Sequence, residues 1–266
     1  MQADQNTVEA VRVRLGLNKP FAEQYAMFLK SAAHGDFGVS IRSGKPVREE
    51  IAERFPYTLA LASTSYCFAM MLGLTAGMVA AASQGSYLDH LVIASSVAAG
   101  SIPNYWLALM AMTFFCVHLG WLPLIGAESW RSYLLPSLTL GLLPAAVIAR
   151  MTRASMLEIL HQDYIRTARA KGLSTAKVYL KHALKNALVP IVTIIGMNFA
   201  GLLGGAVITE AVFSWPGVGR LIVDAVRFRD YATIQAVTLL TVFIVVSMNV
   251  VIDVLITIIN PRIRVE

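Results

Sequence analysis

Charge is what this sequence is short of. Acidic and basic side chains make up 14% of its 266 residues, where a soluble domain of ordinary make-up carries about 25%. With 56% apolar residues and a mean hydropathy of +0.62, too little polar surface is left to solvate a globule. A soluble cytoplasmic enzyme is excluded. Cysteine is almost absent: Cys67 and Cys116 both lie inside apolar runs, so no disulfide framework exists. Low charge on an apolar chain also excludes disorder. No nucleotide loop is present, because Ser43-Gly-Lys-Pro46 lacks the upstream glycine and the Ser/Thr of a P-loop. His34, His90, His118, His161 and His182 show no metal-ligand spacing, and no nucleophile and acid/base groups converge in the sequence as a membrane enzyme would need. An all-α integral membrane protein remains.

The charge it does have is unevenly placed. Residues 1–56 are nearly balanced. Residues 150–187 hold Arg150, Arg153, Arg166, Arg169, Lys171, Lys177, Lys181 and Lys185 against Glu158 and Asp163 alone. A basic block between apolar spans is what the positive-inside rule produces, so the high isoelectric point points to a cytoplasmic loop and not to nucleic acid.

Crossing a bilayer core takes about 20 apolar helical residues. Five spans are predicted, at about 57–82, 91–119, 133–153, 188–209 and 232–259, the second with Pro103 inside it and open to a kink. With 154–187 cytoplasmic, alternation puts 83–90 inside, 120–132 and 210–231 outside, and the tail Pro261–Glu266 inside, where Arg262 and Arg264 agree. Residues 1–56 then form an extracytoplasmic segment with an amphipathic lead-in, followed by a transmembrane domain over 57–266. Nothing in 1–56 could start translocation, so the chain reads as lacking a first transmembrane helix, by truncation or a misplaced start. Gly73-Leu-Thr-Ala-Gly77 and Gly201-Leu-Leu-Gly-Gly205 mark faces where helices pack closely.

Leu160–Ala187 is the most informative segment. It reads as two short helices broken at Gly172, a residue suited to a left-handed cap, with Ser174 or Thr175 capping the second. Ala176, Tyr179, Leu180, Ala183, Leu184 and Ala187 follow the rhythm of one apolar helical face, and Lys177, Lys181 and Lys185 form a stripe on another. Two readings stand: an amphipathic loop lying on anionic lipid, or a rigid helical knob that fits a groove on a cytoplasmic partner.

Asp163-Tyr-Ile-Arg-Thr-Ala-Arg-Ala-Lys-Gly172 with His182-Ala-Leu-Lys-Asn-Ala-Leu-Val-Pro190 resembles the coupling loop of binding-protein-dependent ABC-importer permeases, within them the dipeptide, oligopeptide and nickel branch. Gly35-Asp-Phe-Gly38, Leu135-Pro-Ser-Leu-Thr-Leu-Gly141, Phe213-Ser-Trp-Pro-Gly-Val-Gly-Arg220 and Ile259-Asn-Pro-Arg-Ile-Arg264 agree with it. Leu119-Gly-Trp-Leu-Pro123 and Gly126-Ala-Glu-Ser-Trp130 are most similar to glutathione permeases of that branch. The likeness covers essentially the whole chain and starts after the family's first helix. Two departures stand out. Arg166 occupies the place of the glutamate in the general importer loop, and His182-Ala-Leu184-Lys185 replaces Ile-x-Leu-Pro.

The resemblance implies a type I importer permease of the bacterial inner membrane, a transport subunit and not an enzyme. It implies a second permease subunit, two ATP-binding subunits that hold ATP and magnesium, and a periplasmic or extracellular solute-binding protein, with no cofactor or metal on this chain. The substrate it implies is glutathione or a di- or oligopeptide, with nickel as the alternative; a lipid-binding scaffold is the reading from another class. Asp163, Tyr164, Arg166, Thr167, Ala168, Lys171, Gly172, His182 and Asn186 would couple to the ATPase. Glu210, Trp215, Pro216, Gly217 and Arg220 would form an outer gate or meet the binding protein, Glu210 being otherwise simply solvated. Within 214–231, a short helix with Leu221, Ile222, Ala225 and Val226 on one face is either a scoop packed on the bundle or a gate, and Arg220, Arg227 and Arg229 balance Glu210, Asp224 and Asp230. Asp253 is expected to snorkel to the cytoplasmic interface or to pair with Arg150, Arg153 or Arg262, with a role in the pore as the alternative. Trp106, Trp121, Trp130 and Trp215 are expected as interfacial anchors, and Met70, Met71 and Met110 as packing residues.

Overall fold

The structure is a computed structural model that describes residues 18–259, apart from the side chains at 189, 197–198, 200, 203–205, 253, 255–256 and 258–259. The terminal Arg262 and Arg264, and the side chain of Asp253, therefore lie outside the described residues. Ten α-helices follow one another among the described residues: α1 Phe21–Ala33, α2 Val47–Ala82, α3 Tyr87–Ser101, α4 Asn104–Met112, α5 Trp130–Leu160, α6 Asp163–Ala170, α7 Thr175–Lys177, α8 Lys185–Val212, α9 Val218–Phe228 and α10 Tyr231–Ile259. Two π-helical stretches, Thr113–His118 and Val178–Leu184, extend α4 and join α7 to α8. Among the described residues, the one piece of extended pairing is a bridge between Val39 and Pro46 that closes a loop before α2.

Glycine sets the centre of the bundle. Added Cβ atoms on Gly73 and Gly77 of α2 would lie 2.7 and 2.5 Å from the carbonyl oxygens of Ala145 and Ala149, and one on Gly141 of α5 would lie 2.5 Å from that of Ser65. Only hydrogen fits there, so α2 and α5 approach backbone to backbone. Thr64 and Ser137 hydroxyls bond across the same interface at 2.8 Å. Tyr66 of α2 ties in α8, donating its hydroxyl to the Ile195 carbonyl and meeting Phe199 edge-on at 5.0 Å. Gly201 has open space beside it. Of the two glycine pairs singled out in the sequence, the first marks a close contact and Gly201 does not.

The expected span 91–119 is not one rod. α3 and the 104–118 stretch meet at 99°, and each, at 15 residues, is about 22 Å long and short of a ~30 Å core. Pro103 is the cause. It has no N–H to continue the ladder and pushes Ile102 into the extended region (φ −88°, ψ 124°). α2, by contrast, starts ten residues before its expected span and carries Pro56 through without a break. On α10, Val242, Phe243, Val246 and Val250 all point outward.

The bundle has two distinct ends. At one, the 83–90 loop meets α5 and the basic elbow. At the other, Leu122, Ala127 and Tyr133 pack with Phe213 and Trp215.

Candidate functional site: the coupling elbow and the outer corner

The elbow is built as a Schellman-capped turn. Gly172, at φ +75°, donates its N–H to the Arg169 carbonyl at 3.0 Å, and Leu173 donates to Ala168 at 3.4 Å. Leu173 then packs with Ala168 in the apolar cluster below, the hydrophobic contact that completes such a cap. The capping expected from Ser174 or Thr175 side chains is absent. Ser174 has the extended N-cap conformation but makes no side-chain cap bond; its carbonyl accepts from Val178 at 3.0 Å.

The apolar face of the second elbow helix also differs from the expected one. Ala183 and Ala187 are buried, but Ala176 and Leu180 face outward, and Val178 takes their place inside. The π-helical stretch is the reason. A wider turn puts Val178 above Ala183, five residues on, where an α-helix would have aligned Tyr179 or Leu180. These side chains join Ala81, Met156, Leu160, Ile165, Ala168 and Ile191 in one core, so the elbow is a packed body and not a floppy loop.

The expected coupling residues divide accordingly. Asp163, Tyr164, Arg166, Thr167, Lys171, Gly172 and Asn186 are exposed, as are Lys177, Lys181 and Lys185. Asn186 Nδ2 donates to the Tyr164 hydroxyl at 2.8 Å and to the His182 carbonyl at 3.0 Å, tying α6 to α8 across the gap. Ala168 faces inward and belongs to the anchor, not to an outer contact surface. His182 is partly exposed.

Sequence reasoning missed the clasp beside the elbow. Arg153 of α5 grips Asp89 of α3 through Nε to Oδ1 at 2.5 Å and Nη2 to Oδ2 at 2.7 Å, with Asp89 only 2% exposed. The Gly85 N–H also donates to Asp89, at 3.0 Å. Ser86 caps α3, accepting from the Asp89 N–H; the Ser86-x-x-Asp89 spacing is the signal that was available. Arg150 Nη1 donates to the Ser96 carbonyl at 3.1 Å. The expected pairing of Asp253 lies outside the described residues.

At the opposite end, α8 turns into α9 through a knot of buried groups. Ser214 takes a left-handed conformation (φ +51°). Trp215 N–H donates to the Glu210 carbonyl at 2.8 Å. The Trp215 indole, fully buried, donates to the Tyr57 carbonyl at 3.1 Å and meets Tyr133 edge-on at 4.6 Å. Trp215 is therefore a core residue and not an interfacial anchor, because α2 and α5 close over it. Trp106, Trp121 and Trp130 are exposed.

Glu210 is neither solvated nor partner-facing. It is fully buried, with Oε2 accepting the Arg220 backbone N–H at 3.1 Å, the Thr58 hydroxyl and the Gly219 N–H close by, and Oε1 without a hydrogen-bond partner among the described residues. The carboxylate sits under the N-terminus of α9, where helix amides favour negative charge. Gly217 and Gly219 make the room: a Cβ on Gly217 would collide with the carboxylate, and one on Gly219 would lie 2.6 Å from Val207 Cα. Arg220 Nη1 donates to the Ser214 carbonyl at 2.7 Å, and the Val218 N–H reaches Thr58 Oγ1 at 2.8 Å.

The charge balance expected within 214–231 is also redistributed. Asp224 pairs with Arg42 at 2.8 Å, and Arg42 also stacks on Phe228 at 4.6 Å. Asp230 accepts the Ser40 hydroxyl at 2.5 Å and the Thr233 hydroxyl at 2.9 Å. Burial pushes the Asp230 carboxyl up, but the Ser40 and Thr233 donors outweigh it and hold the group below its ordinary value. Arg227 and Arg229 stay exposed. On α9, Leu221 and Ala225 are buried while Val226 faces outward.

An elbow locked to the bundle at one end, a re-entrant scoop at the other and glycine-packed helices between them define a helical membrane permease. The chain belongs to the binding-protein-dependent transport system inner membrane components, whose family profile matches residues 73–265. It is the permease subunit of an ABC importer in the inner membrane. The glutathione transport system permease protein GsiC of Escherichia coli K12 is 48% identical over 263 residues, covering 99% of this chain and 86% of that protein. The protein of the same name from Shigella dysenteriae serotype 1 is equally similar, at 48%. In fold, the chain is similar to the inward-facing MetNI methionine ABC transporter, with a TM-score of 0.68 at 23% identity over 79% of this chain and 96% of that one. An amino acid ABC transporter solved with histidines gives a TM-score of 0.57 at 15% identity, over 78% and 92% of the two chains.

Proposed function

We propose that this permease imports glutathione or closely related small peptides, handed over by a solute-binding protein on the outer side. The observation that carries the transport mechanism is the Schellman-capped elbow, packed on the bundle through Ile165, Ala168, Val178 and Ala183 while Asp163, Tyr164, Arg166, Thr167 and Lys171 project from it. A body of this kind transmits a push; a loose loop does not. The glutathione preference rests on the 48% identity to permeases of that name.

In this reading, two ATP-binding subunits hold ATP and magnesium, hydrolyse the nucleotide and grip the elbows of this chain and of a second permease subunit. The present chain binds no cofactor. ATP binds more tightly to the state in which the ATPases have closed, and that difference shifts the permease from inward- to outward-facing. The elbow moves α5 directly, α3 through the Arg153–Asp89 clasp, and α9 through α8 and the buried Glu210 corner.

Gly172→Pro tests the lever. Proline cannot adopt φ +75°, and it removes the N–H that bonds Arg169. The assembled transporter in proteoliposomes is expected to keep ATP hydrolysis but lose glutathione uptake. Normal uptake by the variant would refute the lever, and uptake of nickel or of longer peptides to the exclusion of glutathione would refute the substrate.

A further inference from the structure

We infer that the outer end of this permease carries a subsite for a free α-amino-acid group, ammonium and carboxylate on one carbon, formed by Glu50 and Arg54 of α2. The inference rests on the glutathione reading above and deepens it.

Between the first turns of α2, the Ser40–Ser43 loop and α9 lies a cleft of about 220 Å³. At ~30 Å³ per water it holds roughly seven waters, room for one amino-acid-sized group and not for a whole tripeptide. Four charged side chains line it. Two are engaged, Arg42 with Asp224 and Asp230 with the Ser40 and Thr233 hydroxyls. The side chains of the other two form no hydrogen bond or ion pair among the described residues. Glu50 is 8% exposed yet has no hydrogen-bond or ion partner among the described residues. Arg54, half-buried, likewise forms no hydrogen bond or ion pair among them; its charge bears on Glu210, deeper in the corner.

Glu50 and Arg54 stand four residues apart on one helix, the spacing at which opposite charges ordinarily close on each other. Here they form no ion pair and both line the cleft. The Glu50 carboxylate opens into the cleft and offers acceptor oxygens to an ammonium, and a guanidinium presents a fork that matches a carboxylate. One ligand class satisfies both at once: its ammonium meets Glu50 and its carboxylate meets Arg54. The γ-glutamyl end of glutathione is such a group. The first residue of an ordinary peptide is not, because its carboxylate is spent in the peptide bond.

The test uses the whole transporter in nanodiscs without its binding protein, probed with radiolabelled glutathione. Saturable binding is expected, displaced by L-glutamate and not by glycylglycine. Glu50→Gln and Arg54→Gln should each weaken it about tenfold or more, with co-purification of the ATP-binding subunits reporting assembly. The competition experiment needs no variant and so holds even if one fails to assemble. Absence of saturable binding, equal displacement by glycylglycine, or unchanged affinity in both assembled variants would overturn the subsite. Binding-protein-driven glutathione uptake that persists in the absence of such binding would sink the subsite alone, whereas loss of uptake in the unaltered transporter would sink the substrate reading.

Discussion

Arg153 and Asp89 form a two-bond clasp, 2.5 and 2.7 Å long, that fastens the start of α3 to the inner end of α5. The carboxylate is almost wholly enclosed, so removing its partner strands a buried charge. Arg153→Ala is expected to cost about 1–3 kcal/mol, read as a lower melting temperature of the purified transporter. Asp89→Asn with Arg153→Gln together should cost less than Arg153→Ala alone. A clasp of no consequence would leave all three alike.

Gly217 and Glu210 are a matched pair, since the missing Cβ of one is the space occupied by the carboxylate of the other. Gly217→Ala should destabilise by about 1–3 kcal/mol through overpacking. In a double-mutant cycle with Glu210→Ala, the two costs should fall short of additive. Strict additivity would mean that the two side chains do not contend for the same volume.

The close crossing of α2 and α5 separates two glycines that look alike in sequence. Gly77→Ala sets a methyl group 2.5 Å from the Ala149 carbonyl and should lower stability by about 1–3 kcal/mol. Gly201→Ala enters open space and should change stability by no more than about 0.5 kcal/mol. Thermal unfolding of the two variants side by side checks the contrast.

Asp230 contributes a pH dependence of known sign. Its folded carboxyl titrates below the unfolded value of about 3.9. The stabilisation is therefore complete above that unfolded value and is lost as pH falls through the folded one. Asp230→Asn should flatten the acid side of the stability profile below about pH 4 and leave its slope at neutral pH unchanged. A profile of the same acid slope in both proteins would refute the assignment.

The elbow was legible in the sequence because its break is a local event. A glycine that must turn left-handed announces itself by residue type, and Asp163 to Gly172 carries the family pattern besides. The phase of the following helix was not legible. A π-helical turn from Val178 to Leu184 moves every later side chain around the axis, and it is set by how Val178 and Ala183 pack on Met156 and Leu160. Trp215 shows the same limit from another side. A tryptophan beside Pro-Gly reads as an interfacial anchor, and only the arrival of Tyr57 and Tyr133 from distant helices makes it core.

Apolar length and the position of basic residues along the chain were enough to establish a helical membrane protein and its elbow, because lipid leaves a backbone few options and charge crosses it poorly. Partners of buried polar groups were decided in three dimensions. Whether Arg153 meets Asp89, and whether Glu210 faces water or the amides of α9, depends on which helices lie against each other. That choice follows from contacts between residues far apart in the chain, such as Gly77 with Ala149, and no local pattern encodes it.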